Sequence, residues 1–371
     1  MPQKKILFLD TVHPCLQQKL EALGYHCEIN IKDPVREIEK IIHRFFGIVI
    51  RSRITLDKKI LSHAKNLKFI ARSGSGMESI DVNFAHKKGI FCINSPEGNR
   101  NAVAEHALGM LLNLFNNINR ADKEIREGKW VREKNRGLEL GGKTIGIIGY
   151  GNTGSAFTKL LQGFDVKILV YDKYKNLKET NPNEFGEVAI GNKKERKIFT
   201  SSLKDIFSEA DVLSLHIPLT EETIYLVQEV FIKKFRKNFF LINTSRGPIV
   251  KTDDLVKNIK SGKIQGACLD VIEYEEGSFE EIGRGKLEDG RQKSEKGSWS
   301  GENGKWKMED GKRESGKGSW NVEESFEFLK KSDKVILTPH IAGWTVESYR
   351  KLSEVLAEKI KEKFHGENEK E

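Results

Sequence analysis

The stretch GIIGYGNTG, residues 146–154, closes an apolar strand-like run and leads into a helical pattern. Three of its glycines have the spacing of a dinucleotide-binding turn. Gly149 allows the tight turn, Gly151 lets the backbone approach a pyrophosphate, and Gly154 lets the helix pack on the strand. The N-terminus of that helix offers unpaired N–H groups and the positive end of a dipole to phosphates. A glycine-rich turn that only packs is the alternative.

An acidic residue supports the dinucleotide interpretation. A second strand, predicted over Lys167–Tyr171, ends at Asp172, which lies 18 residues beyond Gly154. A carboxylate there can accept hydrogen bonds from the adenosine ribose and repels the additional phosphate of NADP. A turn that only packs would not require this acid, so the pattern predicts NAD as the cofactor.

Bulk composition restricts the class of protein. A length of 371 residues favours two domains. The net charge of +9 raises the question of nucleic acid, but basic and acidic residues are interleaved, as in the KKERK run at 193–197. Interleaved charges are typical of a solvated surface, so nucleic acid is not predicted as a partner.

Cysteine usage and hydropathy bear on the compartment. The four cysteines include no CxxC pair, which favours free thiols in a reducing compartment and predicts no metal site. Near the N-terminus, Asp10 ends an apolar run after four residues, so that run is predicted as a strand rather than a signal peptide. No stretch approaches the ~18 apolar residues of a membrane span, and the sequence predicts a cytoplasmic protein without membrane contact.

Short apolar strands alternate with helical patterns throughout the chain. Before residue 100 they are predicted at Ile6–Asp10, Cys27–Asn30, Gly47–Arg51, Leu67–Ala71 and Ile90–Asn94, and later at 144–150, 167–172, 211–217, 239–244, 266–271 and 335–338. Strands spaced by helices indicate parallel sheets covered on both faces. One long amphipathic helical run is predicted over Ala102–Gly128, and a final helix over Val346–Phe364. The prediction is therefore an α/β protein with two doubly wound parallel-sheet domains.

Residues 281–320 break this pattern, with nine glycines and almost no aliphatic side chains. The stretch 286–299 recurs at 307–320 with an offset of 21, and 9 of the 14 aligned positions are identical. Without apolar residues to bury, such a tandem duplication cannot offset its ordering entropy, so an insertion at about 277–322 is predicted to be disordered. The alternative interpretation is that its three tryptophans are contact points for a partner.

Three polar side chains stand at the ends of predicted strands, where an open parallel sheet binds its ligand. Arg246 can bind a carboxylate and polarise the adjacent carbonyl. His340 can exchange a proton with an alkoxide near neutral pH. Glu275 can hold that imidazole and keep it charged when it acts as an acid. Singly these would be a surface arginine, a loop glutamate and a capping histidine, but together they suit hydride transfer to a 2-keto acid.

The chain resembles the D-isomer-specific 2-hydroxyacid dehydrogenase family along nearly its whole length outside the repeats. The segments that carry the resemblance are ARSGSG at 71–76 with Ile80-Asp81, NSPEGN at 94–99, the glycine turn, HIPLT at 216–220, NTSRG at 243–247, LDV at 269–271 with Glu275, and TPHIAG at 338–343. The resemblance implies Arg246, Glu275 and His340 as the catalytic set. It also implies dimerisation through the helix near 102–128.

The resemblance further implies a flavodoxin-like substrate-binding domain, 1–100 plus 345–371, and a Rossmann NAD-binding domain, 101–344. It assigns cofactor binding to Gly149, Gly151, Asn152, Thr153, Gly154, Asp172, Pro218, Thr244, Asp270 and Gly343, with Asp270 near the nicotinamide carboxamide. It assigns substrate binding to Ser75 and Gly76, whose N–H groups would hold the carboxylate, and to Asn99.

Within the family, Arg51-Ser52-Arg53 is similar to the phosphoglycerate dehydrogenase branch. Two guanidinium groups there would bind a substrate phosphate, which predicts oxidation of 3-phosphoglycerate to 3-phosphohydroxypyruvate in serine biosynthesis. A solvated strand end is the alternative for these arginines. A glyoxylate or hydroxypyruvate reductase is an alternative activity, and a non-catalytic NAD-sensing corepressor is an alternative class.

The sequence departs from the family pattern at several positions. Glu276 stands where proline usually follows the catalytic glutamate, Ile272 where an aromatic is common, and Glu78 in place of an aspartate. Glu275 and His340 are 65 residues apart, whereas the family's interval is in the low twenties. Two 21-residue units account for 42 of these residues and leave a spacing of 23. The duplication therefore explains the excess.

Overall fold

The computed structural model describes residues 3–175, 187–190, 193–196, 198–273, 275 and 322–365. The tandem repeats and their tryptophans lie outside the described residues. Within them the chain divides into two compact units. The first comprises the residues up to Asn99 and those from Thr345, and the second comprises Arg100–Glu275 and the stretch that ends at Trp344.

The first unit is built on a five-stranded parallel sheet in the order β2-β1-β3-β4-β5. Its strands are β1 (Lys5–Phe8), β2 (His26–Ile29), β3 (Gly47–Ile50), β4 (Phe69–Arg72) and β5 (Phe91–Asn94). The helices between them are α1 (Cys15–Ala22), α2 (Val35–Ile41), α3 (Lys58–His63) and α4 (Val82–Lys87). This strand order is that of flavodoxin-like sheets, in which the order reverses between the first and third strands.

Two further helices follow, where the sequence predicted one. They are α5 (Pro96–Asn116) and α6 (Ile118–Arg126). Asn117 separates them in a left-handed conformation with φ of 54°. Asparagine adopts this conformation more readily than most residues, so the helix can break at Asn117 although no glycine is present there. The prediction of one continuous helix over Ala102–Gly128 is therefore wrong.

The second unit is built on a seven-stranded parallel sheet in the order β10-β7-β6-β11-β12-β13-β14. The strands from β6 onward are β6 (Thr144–Ile148), β7 (Lys167–Tyr171), β8 (Glu187–Ile190), β9 (Lys193–Arg196), β10 (Ile198–Thr200), β11 (Val212–Leu215), β12 (Phe239–Asn243), β13 (Ile264–Leu269) and β14 (Val335–Leu337). The remaining helices are α7 (Asn152–Leu161), α8 (Leu203–Glu209), α9 (Glu229–Ile232), α10 (Thr252–Lys260), α11 (Val322–Lys331) and α12 (Val346–Phe364). Strands β8 and β9 form a separate antiparallel pair.

Alternation along the strands explains how both faces of the first sheet are covered. Ile6 and Phe8 belong to the apolar cluster that contains α1 and the last helix, α12, whereas Leu7 and Leu9 belong to the cluster on the opposite face. Both sheets are parallel and carry buried side chains on two faces, as doubly wound folds require. The predicted fold class, with a flavodoxin-like and a Rossmann sheet, is confirmed.

The hydropathy of the helices and the state of the cysteines are two properties that the sequence analysis addressed. No helix among the described residues is both long enough and apolar enough to cross a bilayer. All four cysteines are free thiols, and burial raises the pKa of Cys27 to about 12 and that of Cys92 to about 11. These thiols stay protonated at neutral pH, which makes them poor nucleophiles.

Candidate active site

The glycine turn joins β6 to α7 and has the space that its spacing predicts. Gly149 has a φ of +94°, and a Cβ built there would lie 2.3 Å from the main-chain oxygen of His216. A Cβ on Gly154 would lie 2.0 Å from the oxygen of Gly149. A Cβ on Gly151, by contrast, would meet no atom within 4 Å. Gly149 and Gly154 are therefore required by packing within the fold, whereas Gly151 leaves open space for a ligand.

The N-terminus of α7 begins at this open space. Asn152 and Thr153 lie in its first turn, and no side chain caps the helix. First-turn N–H groups have no partner within their own helix, so they can donate to an anion. The residues present thus fit a dinucleotide pyrophosphate.

Asp172 is fixed beside the glycine turn by main-chain donors. Its Oδ2 accepts from the Tyr150 N–H at 2.7 Å, and its Oδ1 accepts from the N–H groups of Tyr174 at 2.9 Å and Lys175 at 3.0 Å. A carboxylate can accept about four hydrogen bonds, so capacity remains for a ribose hydroxyl. The carboxylate is thereby oriented at the end of β7, on the strand next to β6.

His216 supports the turn from β11 and is almost completely buried. Its Nε2 lies 2.9 Å from the hydroxyl of Ser214, and its Nδ1 has no hydrogen-bond partner in the part of the chain that the structure describes. Burial lowers the pKa of His216 to about 4, because the charged ring would lose its hydration. The ring is therefore neutral at physiological pH and packs against Phe157 of α7.

A tight turn after β12 presents Arg246. The Asn243 side chain determines this turn, because its Nδ2 donates to the Arg246 carbonyl at 3.0 Å and its Oδ1 accepts from the Ser245 N–H at 3.1 Å. The next residue, Gly247, lies so close to the segment after β13 that a Cβ there would be 1.7 Å from the Ile272 oxygen. The loop of Arg246 and the loop that leads to Glu275 therefore touch.

Glu275 and His340 are in direct contact. The Oε2 of Glu275 lies 3.0 Å from Nδ1 of His340, and its Oε1 accepts from the Ile272 N–H at 2.7 Å. The side chains are 19% and 33% exposed, respectively, so the pair is partly shielded yet reachable. Because Nδ1 faces the carboxylate, Nε2 is the ring nitrogen that would exchange a proton with a substrate.

The loop that carries His340 is anchored on Asp270. The Oδ1 of Asp270 accepts from Ile341 N–H at 2.8 Å and from the Thr338 hydroxyl at 2.6 Å, and its Oδ2 accepts from Ala342 N–H at 2.9 Å. The sequence assigned Asp270 to the nicotinamide carboxamide. That assignment stays a prediction, and in the structure the carboxylate holds residues on either side of His340.

Three other residues assigned to the cofactor occupy the ends of strands in the second unit. The hydroxyl of Thr244, after β12, is buried and has no hydrogen-bond partner among the described residues. It could therefore hydrogen-bond to a bound ligand. Pro218 follows β11, and its carbonyl accepts from the Thr223 hydroxyl at 2.8 Å. Gly343 follows Ala342 in the loop anchored on Asp270.

The residues assigned to the substrate carboxylate lie together in the first unit. The hydroxyl of Ser75 donates to Asn99 at 2.7 Å, and its carbonyl accepts from the Asn94 side chain at 2.6 Å. The N–H groups of Ser75 and Gly76 have no acceptor in the described part of the chain. Two unpaired, half-exposed donors side by side fit a carboxylate.

The two arginines at the end of β3 have different surroundings. The guanidinium of Arg53 donates to the carbonyls of Leu9 at 2.6 Å, Asp33 at 2.9 Å and Asn30 at 2.9 Å. It therefore ties the ends of β1 and β2 to β3. The main-chain N–H of Arg51 donates to the Asp10 carboxylate at 2.6 Å, and its carbonyl accepts from the side chain of Arg72 at 3.2 Å.

The structure thus brings Glu275 and His340 together and places the loop of Arg246 against the loop that leads to Glu275. Sequence reasoning missed three residues near these sites: Asn243, which shapes the Arg246 turn; Arg72, whose guanidinium packs on Gly74; and His106 of α5, whose Nε2 lies 2.9 Å from the Thr338 hydroxyl. Asn243 and Arg72 had a local signal, as members of the NTSRG and ARSGSG segments, whereas His106 had none.

Comparison with known proteins gives a consistent picture. The family described as D-isomer specific 2-hydroxyacid dehydrogenase, NAD binding domain, matches residues 108–342. A hydroxypyruvate reductase of Thermotoga maritima is 33% identical over 345 residues, which cover 93% of this chain and 91% of that protein. A D-3-phosphoglycerate dehydrogenase of Archaeoglobus fulgidus is 31% identical over 271 residues, which cover 73% of this chain. The match spans only 49% of that relative's length.

A solved structure agrees over the whole fold. The crystal structure of D-lactate dehydrogenase from Aquifex aeolicus, complexed with NAD and lactic acid, has a TM-score of 0.73 and 26% sequence identity. The likeness covers 99% of this chain and 97% of that one. The chain belongs to the D-isomer-specific 2-hydroxyacid dehydrogenase family, and its second unit contains that family's NAD-binding domain.

Proposed function

We propose that this member of the family is an NAD-dependent dehydrogenase that interconverts a D-2-hydroxy acid and the corresponding 2-keto acid. The observation that carries the proposal is the contact between Glu275 and His340 at 3.0 Å, in the same unit as the glycine turn and Asp172. An acid–base pair and a dinucleotide site are the two components that such a reaction needs.

In the oxidation direction, His340 takes the hydroxyl proton of the substrate on Nε2. Glu275 faces Nδ1, orients the ring and stabilises the imidazolium that forms. NAD, held by the glycine turn and Asp172, would supply the hydride acceptor for C2, so that loss of the hydroxyl proton to His340 leaves a carbonyl. In reduction His340 returns the proton to the oxygen, and the same contact with Glu275 orients the ring for that transfer.

Arg246 has the complementary task of orienting and polarising the substrate. Its guanidinium remains charged at any physiological pH and can bind a carboxylate and the neighbouring carbonyl oxygen. The Asn243 hydrogen bonds preset the turn that presents it. Because catalysis requires the charge to be in place before the carbonyl is reduced, a preorganised turn favours the reaction.

For the substrate, we propose 3-phosphoglycerate, with Arg51 as the phosphate ligand. Arg53 lies two residues further along at the end of β3, and three of its N–H donors are already used by main-chain carbonyls. The resulting product would be 3-phosphohydroxypyruvate, an intermediate of serine biosynthesis.

A second substrate is favoured by the same observation. Because Arg53 spends three of its five N–H donors within the fold, it has fewer left for a phosphate. A relative that aligns over 91% of its own length is named hydroxypyruvate reductase. We therefore propose hydroxypyruvate, with D-glycerate as its reduced form, as the second candidate.

We also propose that the chain forms a homodimer in the cytoplasm. No side chain of helix α6 is buried by the residues that the structure describes, and Ile118 and Ile125 are each 52% exposed. Two large apolar side chains on one short helix suit an interface with a second copy.

The test is a panel of D-2-hydroxy acids and NAD with the purified protein, with NADH absorbance as the readout. The panel contains 3-phosphoglycerate, D-glycerate, D-lactate and D-malate, with each L-isomer as the matched control. We expect turnover of at least one D-acid and none of the L-acids. Tight NADH binding without turnover in either direction would contradict the proposal and would favour a non-catalytic NAD sensor.

A further inference from the structure

The starting point is a buried carboxylate whose surroundings extend beyond the active site. Asp270 is 1% exposed, and its main-chain carbonyl accepts from His340 N–H at 2.7 Å. Its carboxylate holds the Thr338 hydroxyl and the N–H groups of Ile341 and Ala342. A buried carboxylate is tolerated only when its oxygens are satisfied by hydrogen bonds, so this cluster forms as a unit or not at all.

His106 extends the cluster to α5. Its Nε2 lies 2.9 Å from Thr338 Oγ1 and 3.6 Å from Asp270 Oδ1. The Thr338 hydroxyl has one hydrogen, which goes to the carboxylate at 2.6 Å rather than to the weaker acceptor Met110 Sδ at 3.8 Å. Thr338 must therefore accept from His106, which places a hydrogen on Nε2 of His106.

The cluster surrounds a residue with an unusual backbone. His340 has a φ of 55°, a left-handed conformation that a residue with a Cβ adopts at a cost and keeps only when its surroundings impose it. Its neighbours on both sides are tied to Asp270, and its N–H also reaches the Thr338 carbonyl at 3.0 Å. The direction of the imidazole toward Glu275 thus depends on the Asp270 cluster.

We propose that His106 is a positioning residue for His340, acting through Thr338 and Asp270. The proposal rests on the proposed function of His340 as the acid–base group, but its structural part does not. The hydrogen that His106 donates keeps the Thr338 hydroxyl directed at Asp270, and Asp270 in turn keeps the loop in the conformation that presents His340. His106 itself need not touch substrate or cofactor.

The experiment compares His106→Leu, which removes the donor, with His106→Gln, which keeps an N–H donor on a side chain of similar reach. Thr338→Val removes the hydroxyl while preserving its shape. Asn101→Ala changes an exposed residue of the same helix and serves as the matched control. Two readouts are required: hydrogen exchange of the Ile341 and Ala342 amides, with Ile147 in β6 as the core reference, and steady-state kinetics with NADH affinity.

For His106→Leu and Thr338→Val we expect exchange at Ile341 and Ala342 to accelerate at least tenfold, while exchange at Ile147 is unchanged. We expect kcat to fall by about 10- to 100-fold, the scale of a misplaced catalytic group, with NADH affinity within about twofold of the parent. His106→Gln should restore most of both properties, and Asn101→Ala should change neither.

Unchanged exchange at Ile341 and Ala342 in both His106→Leu and Thr338→Val would overturn the proposal. So would equal acceleration at Ile147, since that reports general destabilisation. If the parent protein turns over no hydroxy acid, the proposed function fails, and the exchange measurement still decides whether His106 orders the His340 loop.

Discussion

Nδ1 of His340 lies 3.0 Å from Oε2 of Glu275, although the two residues are 65 positions apart in the chain. Both residues lie beyond the ends of adjacent parallel strands, Glu275 after β13 and His340 after β14. The sheet therefore sets their distance, and the length of chain between them does not.

Removal of the general acid should affect chemistry rather than binding. We expect His340→Ala to lower kcat by about 10²–10⁴-fold, the range of a positioned acid–base group. NADH affinity, measured by fluorescence titration, should stay near that of the parent. His86→Ala, at an exposed position of α4, is the matched control. Full kcat in the His340 variant would refute the mechanism.

Removal of the carboxylate partner should have a smaller effect. In Glu275→Gln the imidazole remains, but the negative charge beside it is lost, and the one amide oxygen cannot serve both Nδ1 of His340 and the Ile272 N–H. We expect kcat to fall by less than in His340→Ala, and the double variant to be no worse than His340→Ala alone, because both act through one ring. Additive losses in this cycle would show that the residues act independently.

Preference for NAD should depend on the charge of Asp172. Asp172→Asn removes the charge but keeps one acceptor oxygen and the shape of the side chain, so it should disturb the turn less than a truncation. We expect the parent to prefer NAD over NADP by a wide margin in kcat/KM and the variant to narrow that margin. Asp333→Asn, at an exposed position of the same unit, should keep it. Equal kcat/KM for the two cofactors in the parent would contradict the assignment.

The stability of the second unit should depend on pH through His216. Burial lowers the pKa of His216 to about 4, whereas an exposed histidine in the unfolded chain titrates at about 6.5. The unfolded state thus binds more protons between these values, and the contribution of the neutral ring to stability is present above pH 6.5 and is lost as the pH falls toward 4. We expect it to remove roughly 2 kcal/mol of unfolding free energy between pH 7.5 and pH 5.

Urea unfolding at the two pH values measures this loss. His216→Gln should be less stable than the parent at pH 7.5 but should lose less stability on acidification. His63→Gln, at an exposed position, should lose as much as the parent. If His216→Gln and the parent lose equal stability, His216 is not the group responsible.

The choice of substrate is best tested at Arg51. The sequence favoured Arg53 equally, but Arg53→Met would also release three main-chain carbonyls and would confound binding with stability. A lost charge-assisted pair costs roughly 1.5–3 kcal/mol, or about ten- to a hundredfold in kcat/KM. Arg51→Met should therefore impair use of 3-phosphoglycerate by that factor and leave D-glycerate nearly unchanged. If the parent uses both acids equally well, the hydroxypyruvate assignment takes precedence.

The repeats are predicted to be dispensable for folding. Deletion of Phe279 to Trp320 removes 42 residues and reduces the spacing of Glu275 and His340 from 65 to 23 positions. We expect the deletion variant to express, to keep its oligomeric state and to unfold within a few degrees of the parent in a thermal melt. A deletion of equal length that enters α11 should fail to fold. Loss of solubility in the first variant would mean that the tryptophans contribute to the core.

Local patterns predicted the sheets well, because buried parallel strands read as apolar runs and the glycine turn has a steric cause. They failed at a helix break without proline or glycine, at a very short strand, and at a contact between residues distant in sequence. The break at Asn117 has no proline or glycine to announce it. The strand β10 has three residues, too few for a pattern. His106 and Thr338 are 232 residues apart, so nothing local to either could predict that they touch.

The same distinction applies to the candidate site. A strand end can be predicted from sequence, and so can the residue types that suit an acid, a base or an anion ligand. The hydrogen-bond partners that a side chain has within the fold cannot be predicted in this way. Arg53 was a reasonable phosphate ligand by type, and only the three carbonyls around it reveal its role in joining strands. The left-handed φ of His340 likewise occurs in a loop that is tied to Asp270, which lies outside the TPHIAG segment.

The last helix, α12, completes a core that begins at the other end of the chain. Leu356, Ala357 and Ile360 pack in one cluster with Ile6 and Leu16. During synthesis on the ribosome the first unit cannot complete its core when its strands have emerged, because α12 is made only after the second unit. At about 5–20 residues per second, the interval from Asn99 to Thr345 is roughly 12–50 s. During that time the apolar face that α12 will cover is exposed to chaperones, so the order of synthesis makes the first sheet the vulnerable half of a nascent chain.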